Sequence, residues 1–168
     1  MNFYIAFGTP DFLKKLQNKH KTKNMNAFFN NETAMLLHET TKKSVFAAPR
    51  KYEIITGSGD ISHANFASFT YVPVSDEGKP LFESQISNMS MLFQNVSGLV
   101  AYRVLRPIKS DSFVITTFWE NASSYSDWSH SIAFEQLEQL IEKNKAGLNT
   151  TIFSGPVYTK TYYLLEDE

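Results

Sequence analysis

Six residues, Asn2-Phe-Tyr-Ile-Ala-Phe7, open the chain with an alternating pattern that predicts a strand. Thr9-Pro10-Asp11 then supplies a hydroxyl at a helix cap, a proline in the first turn and an acid at the positive end of the dipole, so a helix to about Asn18 follows. Ala27-Phe-Phe29, Ala34-Met-Leu-Leu-His38, Ser44-Val-Phe-Ala47 and Tyr52-Glu-Ile-Ile-Thr56 read as short strands separated by polar breaks such as Asn30-Asn31 and Thr40 to Lys43. This part is strand-rich and too small for a large core of its own. Gly57-Ser-Gly59, with two glycines and a serine, predicts the boundary between a β-rich N-terminal region (1–62) and a second domain (63–168).

The second region predicts a strand from Asn65 to Val74, a helix from Lys79 to Asn95, strands from Leu99 to Leu105 and Ser112 to Glu120, a helix from Ala122 to about Lys143, and a strand from Val157 to Leu165. That order, β-α-β-β-α-β, is ferredoxin-like, and the fold class is α+β with the β-rich N-terminal extension packed on this domain. In the first of these helices Phe82, Ile86, Met89, Phe93 and Val96 recur at steps of four and three, which gives one stripe against the sheet. The second helix carries two stripes, Tyr125, Trp128 and Ile132, then Phe134, Leu137 and Ile141, and a bend at Ser129 to Ser131 reconciles them. No internal sequence repeat stands out.

Composition narrows the function classes. The 168 residues are 42% hydrophobic and carry a formal net charge of −1. Such a chain has enough apolar surface for a core and no basic field for nucleic acid. It has no cysteine, which excludes disulfides, iron–sulfur clusters and thiolate chemistry. The N-terminus lacks a basic leader and a long apolar core, so a cytoplasmic protein is expected. No apolar run approaches the roughly 20 residues that span a bilayer. Five Asn-x-Ser/Thr triplets, beginning at Asn31, Asn88, Asn95, Asn121 and Asn149, have no assigned role in a chain without an export signal.

Familiar catalytic constellations are missing. Ser123, Ser124, Asp127 and His130 lie close in sequence, but there is no Gly-x-Ser-x-Gly elbow and the residues read as cap and helix surface. His20, His38, His63 and His130 show no metal-ligand spacing, so no metal site is expected. Gly57-Ser-Gly59 and Gly78-Lys-Pro80 lack the strand-loop-helix phosphate fingerprint. Met89 and Met91 offer a soft wall for a flat apolar ligand, although methionine at helical spacing ordinarily fills core.

One ordered set of segments goes further. Gly8-Thr9 with Asp11-Phe-Leu-Lys14, His38-Glu-Thr40, Val45-Phe46, Tyr52-Glu-Ile54, Pro80-Leu-Phe-Glu83, Arg103-Val-Leu-Arg-Pro107, Trp119-Glu120, Asp127-Trp128 and Ile152-Phe-Ser154 resemble the heme-degrading monooxygenases of the HmoB and IsdG type, within the antibiotic-biosynthesis-monooxygenase (ABM) superfamily of dimeric α+β barrels. Gly8-Thr9 and Arg103 to Pro107 also resemble the staphylococcal TRAP signal-transduction proteins. The first resemblance implies heme as both substrate and cofactor, seated between sheet and helices. It implies an asparagine on the first barrel strand, a tryptophan that ruffles the porphyrin, and an iron-ligating histidine ten residues after it.

On this chain the tryptophan position is Trp128, the asparagine position is Thr70 and the histidine position is Glu138. The catalytic candidates are therefore Trp128 and Thr70, and the cofactor-binding candidates are Trp128, Met89 and Glu138. A threonine hydroxyl can donate one hydrogen bond in place of an amide, whereas protein-bound heme iron is held by His, Cys, Met or Tyr rather than by a carboxylate. His130, about 200° round a helix from Trp128, points away from it. The implied ligand is heme or another flat aromatic molecule. The TRAP resemblance implies instead a non-catalytic signalling or stress-response protein with a protein partner. The IsdG-type barrel uses two copies of the domain, and a monomer is expected here if the N-terminal half takes the place of the second copy.

Overall fold

The computed structural model describes residues 1–146 and 156–166, with the side chains of 142–146 outside that description. The segment Ile152-Phe-Ser154 and the triplet at Asn149 lie outside the described residues. Eight strands are described: β1 (Asn2–Gly8), β2 (Met25–Phe29), β3 (Ala34–Thr40), β4 (Arg50–Gly59), β5 (Phe66–Pro73), β6 (Leu99–Pro107), β7 (Ser112–Trp119) and β8 (Tyr158–Leu164). The helices are α1 (Pro10–Lys19), α2 (Lys79–Ser87), α3 (Ala122–Ser129) and α4 (Ile132–Ala146). The strands close into one barrel in the order β1-β3-β2-β8-β5-β7-β6-β4, every neighbour antiparallel.

Cutting that ring at β2–β8 and β4–β6 leaves two half-sheets of the same internal order, β4-β1-β3-β2 and β8-β5-β7-β6. The second is the ferredoxin-like unit expected from its pattern. The first repeats the order with no sequence repeat to announce it, and lacks a helix between its third and fourth strands. It therefore packs on the ferredoxin-like unit edge to edge, and closure leaves no free strand edge in the ring.

Three apolar clusters fill the molecule. Inside the ring, Phe3, Ile5, Phe28, Phe69, Leu105, Phe118 and Tyr162 are almost fully buried, and Phe69 meets Phe118 and Tyr162 edge-on at 6.0 and 5.6 Å. Outside the second half-sheet, Phe82, Ile86, Phe93, Trp119, Trp128, Leu137 and Ile141 join the helices to the strands. Outside the first half-sheet, Leu13 of α1 and Phe46 cover Tyr4, Met25 and Leu36.

Four local expectations change. Ser44 to Ala47 is a loop between β3 and β4 rather than a strand; it closes over the sheet through Phe46. The helix expected over Lys79 to Asn95 ends at Ser87 and gives way to a 3-10 turn, Ser90–Phe93, yet Phe82, Ile86 and Phe93 stay buried and Met89 and Val96 half-buried. The expected bend after Trp128 is a full break: His130 ends α3, and the Ser131 hydroxyl accepts from the Phe134 N–H at 3.2 Å to start α4. That cap re-aims the next turn, so Ile132 is 74% exposed instead of continuing the stripe. Gly57 to Gly59 continue β4 and pair with Arg103 to Ala101 of β6. A Cβ on Gly57 would stand 2.6 Å from the Tyr102 carbonyl oxygen, and Gly59, at φ +89°, would place one 2.1 Å from that of Val100. These glycines let two strands and the Arg103 side chain approach closely.

Candidate functional site

The helix–sheet cleft is built by α4 and the outer faces of β5 and β8. Thr70 on β5 lies opposite Thr159 on β8 in antiparallel register, and their hydroxyls share a hydrogen bond of 2.8 Å. Phe134, Leu137, Glu138 and Ile141 of α4 recur at helical spacing and face these threonines. With Val157 and Tyr158 they enclose about 270 Å³. The structure thus brings two of the sequence-predicted residues, Thr70 and Glu138, into one cleft. Glu138 is on its exposed rim.

Trp128 and Met89 are elsewhere. Trp128, 5% exposed, packs in the helix–sheet core with ring centroids 5.4 Å from Trp119, 5.8 Å from Phe93 and 5.1 Å from Phe134. Phe134 both touches Trp128 and lines the cleft, whereas Trp128 is not among the residues that line it. The Trp128 Nε1–H is buried and has no hydrogen-bond partner among the described residues, whereas Trp119 Nε1–H donates to Thr117 Oγ1 at 2.7 Å, and Thr117 Oγ1 also contacts Ser68 Oγ. Met89 packs half-buried against the same core. His130 is exposed, its Nδ1 bonded to the Ser126 carbonyl at 2.7 Å, and so faces away from Trp128 as its helical position implies.

Tyr125 does not line the cleft but feels the charge of Glu138 on its rim. Burial, and secondarily the Glu138 carboxylate, push its hydroxyl above the usual phenol range. Its ring sits 5.6 Å from Phe66 and 5.8 Å from Trp119. Glu138, Tyr158 and the threonine pair give the cleft its hydrogen-bonding groups, over an apolar floor of Phe134, Leu137 and Ile141.

These residues do not fit an iron-bound porphyrin. Glu138, at the position that the resemblance gives to the iron ligand, is an exposed carboxylate, and no His, Cys or Met is among the described residues that line the cleft. Tyr158, which does line it, is stacked on Tyr71 at 4.9 Å and 22°. The enclosed 270 Å³ also falls below the roughly 300–1,000 Å³ of ordinary ligand pockets. Among the described residues no group of three or more His, Asp or Glu side chains is placed to hold a metal ion.

Two arginine clamps escaped the sequence reading, although both lie in the segment Arg103 to Pro107. Arg103, 9% exposed, donates from Nε and Nη2 to Glu39 of β3 at 2.9 and 3.1 Å, and from its Nη atoms to the Ser58, Gly59 and Tyr102 carbonyls, each at 2.8 Å. All five of its N–H groups are thereby used, tying the two half-sheets together. Arg106 joins Glu53 of β4 to Glu83 of α2, donating from Nη1 at 2.6 Å and from Nε at 2.9 Å, and this holds the Glu83 carboxyl below the usual carboxylate range. The signal available in sequence was the spacing of two arginines by three on a strand, which puts them on opposite faces.

A ferredoxin-like unit with a helix-covered outer face defines a class. Residues 66–140 match the family model described as antibiotic biosynthesis monooxygenase. The "Signal transduction protein TRAP" of Staphylococcus epidermidis is 26% identical over 136 residues, 81% of each chain. A heme-degrading monooxygenase of Listeria monocytogenes is 24% identical over 141 residues, 84% of each. Among solved structures, one described as a major regulator of staphylococcal pathogenesis superposes with a TM-score of 0.85 at 24% identity, over 99% of this chain and 100% of the other. The heme-degrading enzyme LmHde of Listeria monocytogenes gives 0.74 at 23%, over 97% and 99%. These likenesses establish the ferredoxin-like fold.

Proposed function

We propose that this chain is a non-catalytic, cytoplasmic relative of the TRAP type, acting in signalling or stress response through a protein partner rather than by degrading heme. The observation that carries this reading is the cleft itself: the position that the resemblance gives to the iron ligand is Glu138, and Trp128 packs in the core against Phe134 without lining the cleft. Under this reading Trp128 and Met89 are core residues, and Thr70 stabilises the β5–β8 pairing through Thr159. The similarity to TRAP proteins over 81% of the chain supports it. No described helix is long and apolar enough to cross a membrane. Because the barrel closes within one chain, the protein acts as a monomer in this proposal.

A second reading keeps heme degradation, with Trp128 distorting the ring and Thr70 in place of the distal amide. It is favoured by Trp128, whose buried Nε1–H has no partner among the described residues, and by the 24% identical heme-degrading relative. A visible-absorption titration with hemin separates the two. The proposal expects no saturable Soret shift and no iron release with ascorbate under air. A one-to-one shift that decays with iron release would replace it with the catalytic reading.

A further inference from the structure

A larger cavity lies at one mouth of the barrel. It is where the start of β4, the end of β5, the β6–β7 turn and the start of β8 meet, and it measures about 560 Å³. Its floor is Tyr52 and Tyr71, which are 3% and 4% exposed and project from inside the ring. Its rim carries Arg50, Lys51 and Lys109, together with Ser110 and Ser112. No carboxylate is among its lining residues, and none of the three cations is in an ion pair among the described residues. The opposite mouth differs: there Arg103 is neutralised by Glu39, and Asp60 lies beside them.

The chemistry of this mouth is directional. Arg50 sits 4.8 Å from the Phe7 ring centroid and lines the cavity beside Tyr52, so its charge lies at the edge of the tyrosine floor. Burial pushes the Tyr52 and Tyr71 hydroxyls above the ordinary phenol range, and they remain protonated donors at neutral pH. Tyr158, 45% exposed, stacks on Tyr71 and supplies an aromatic wall. A cavity of this size in a barrel mouth, apolar below and polar at a few points, has the build of a small-molecule site. Positive charge without a counter-ion selects an anion, and stacked rings select a flat one.

We propose that this mouth binds a small planar aromatic anion, with its carboxylate or equivalent acid held by Arg50 and Lys109 and its ring against Tyr158 and Tyr71. The site shares only Tyr158 with the helix–sheet cleft, so its occupancy is independent of the outcome with hemin.

Isothermal titration of the full chain tests this with three probes: 1-naphthoate, its neutral isostere 1-naphthamide, and inorganic phosphate. The expected result is saturable one-to-one binding of naphthoate, about tenfold or more weaker binding of naphthamide, and no competition by phosphate. A variant carrying Arg50→Gln and Lys109→Gln, both on exposed positions, should lose about tenfold or more in naphthoate affinity with an unchanged circular dichroism spectrum. Tyr52→Phe, which keeps the ring, should weaken binding by a smaller factor. Absence of saturable naphthoate binding, equal affinity for naphthamide, displacement by phosphate, or binding unchanged in the double glutamine variant would each overturn the proposal.

Discussion

The two half-sheets have the same strand order and opposite dress. Over the first, one helix and the loop 41–49 lie directly on the strands, with Phe46 edge-on to His38 at 6.2 Å. Over the second, α2, α3 and α4 build a thicker layer in which Trp128 is surrounded by Phe93, Trp119 and Phe134. A helix stands about 10 Å from the sheet it packs on and reaches it only with long side chains, whereas a loop settles onto the surface. The Thr70–Glu138 cleft exists where a helix stands off the sheet, and aromatic side chains have filled most of that gap.

Removing an anchor from each cover tests the contrast most severely. Trp128→Ala should cost about 3–5 kcal/mol, the range for a large buried aromatic. Phe46→Ala should cost no more than the lower end, about 3 kcal/mol, because a loop can settle into the space left behind. Urea unfolding of both variants measures the difference, and equal losses would show that the two covers are equally rigid.

Glu39→Gln acts across the division rather than within one face. It removes the carboxylate from Arg103 while leaving the guanidinium enclosed. Since the two side chains are 21% and 11% exposed, the loss should be about 2 kcal/mol, below the 3–5 kcal/mol for breaking a fully buried pair. A change under about 0.5 kcal/mol in the same unfolding measurement would mean that water replaces the carboxylate there.

His38 makes the first cover sensitive to acid. Burial first, and then the charges of Lys23 and His20, hold its imidazole below the usual range, and its Nδ1 is buried without a partner among the described residues. The unfolded chain takes up a proton near pH 6.5 while the folded chain resists it. The unfolded state therefore binds more protons below that pH, and stability falls as pH drops from about 7 to about 5. His38→Phe should flatten this slope in pH-dependent unfolding; an unchanged slope would assign it to other groups. The smallest effect belongs to the cleft: Thr70→Val, which loses the bond to Thr159, should cost about 1 kcal/mol or less.

Much of the second half was legible because its elements carry strong periods and clean breaks. Phe82, Ile86 and Phe93 stayed on one buried face even though the helix carrying them is interrupted. Thr70 and Glu138 meet because the ferredoxin-like order fixes which strand and helix are neighbours. What sequence missed depends on contacts between distant segments. Nothing near Val45-Phe46 distinguishes a strand from a plug, and only the packing onto Leu36 and Met25 decides it. Gly57 and Gly59 look like a flexible break until Arg103 is seen crossing beside them. Trp128 and Phe134 fall on separate stripes, and the break at Ser131 is what lays one ring against the other.

The ring is closed by two unequal seams. β4 and β6 pair from Tyr52–Pro107 through to Gly59–Ala101, while among the described residues β2 and β8 pair at Phe28–Leu164 and Phe29–Tyr163, helped by Leu165 N–H donating to the Ala27 carbonyl at 2.9 Å and Asn30 Nδ2–H to the Thr161 carbonyl at 3.3 Å. One seam is thus a hinge and the other a latch between chain positions far apart in sequence, so the latch forms late and carries the larger loop-closure cost. Both partners belong to one polypeptide, so dilution does not open the latch; its amide protons should exchange ahead of those of β4 and β6.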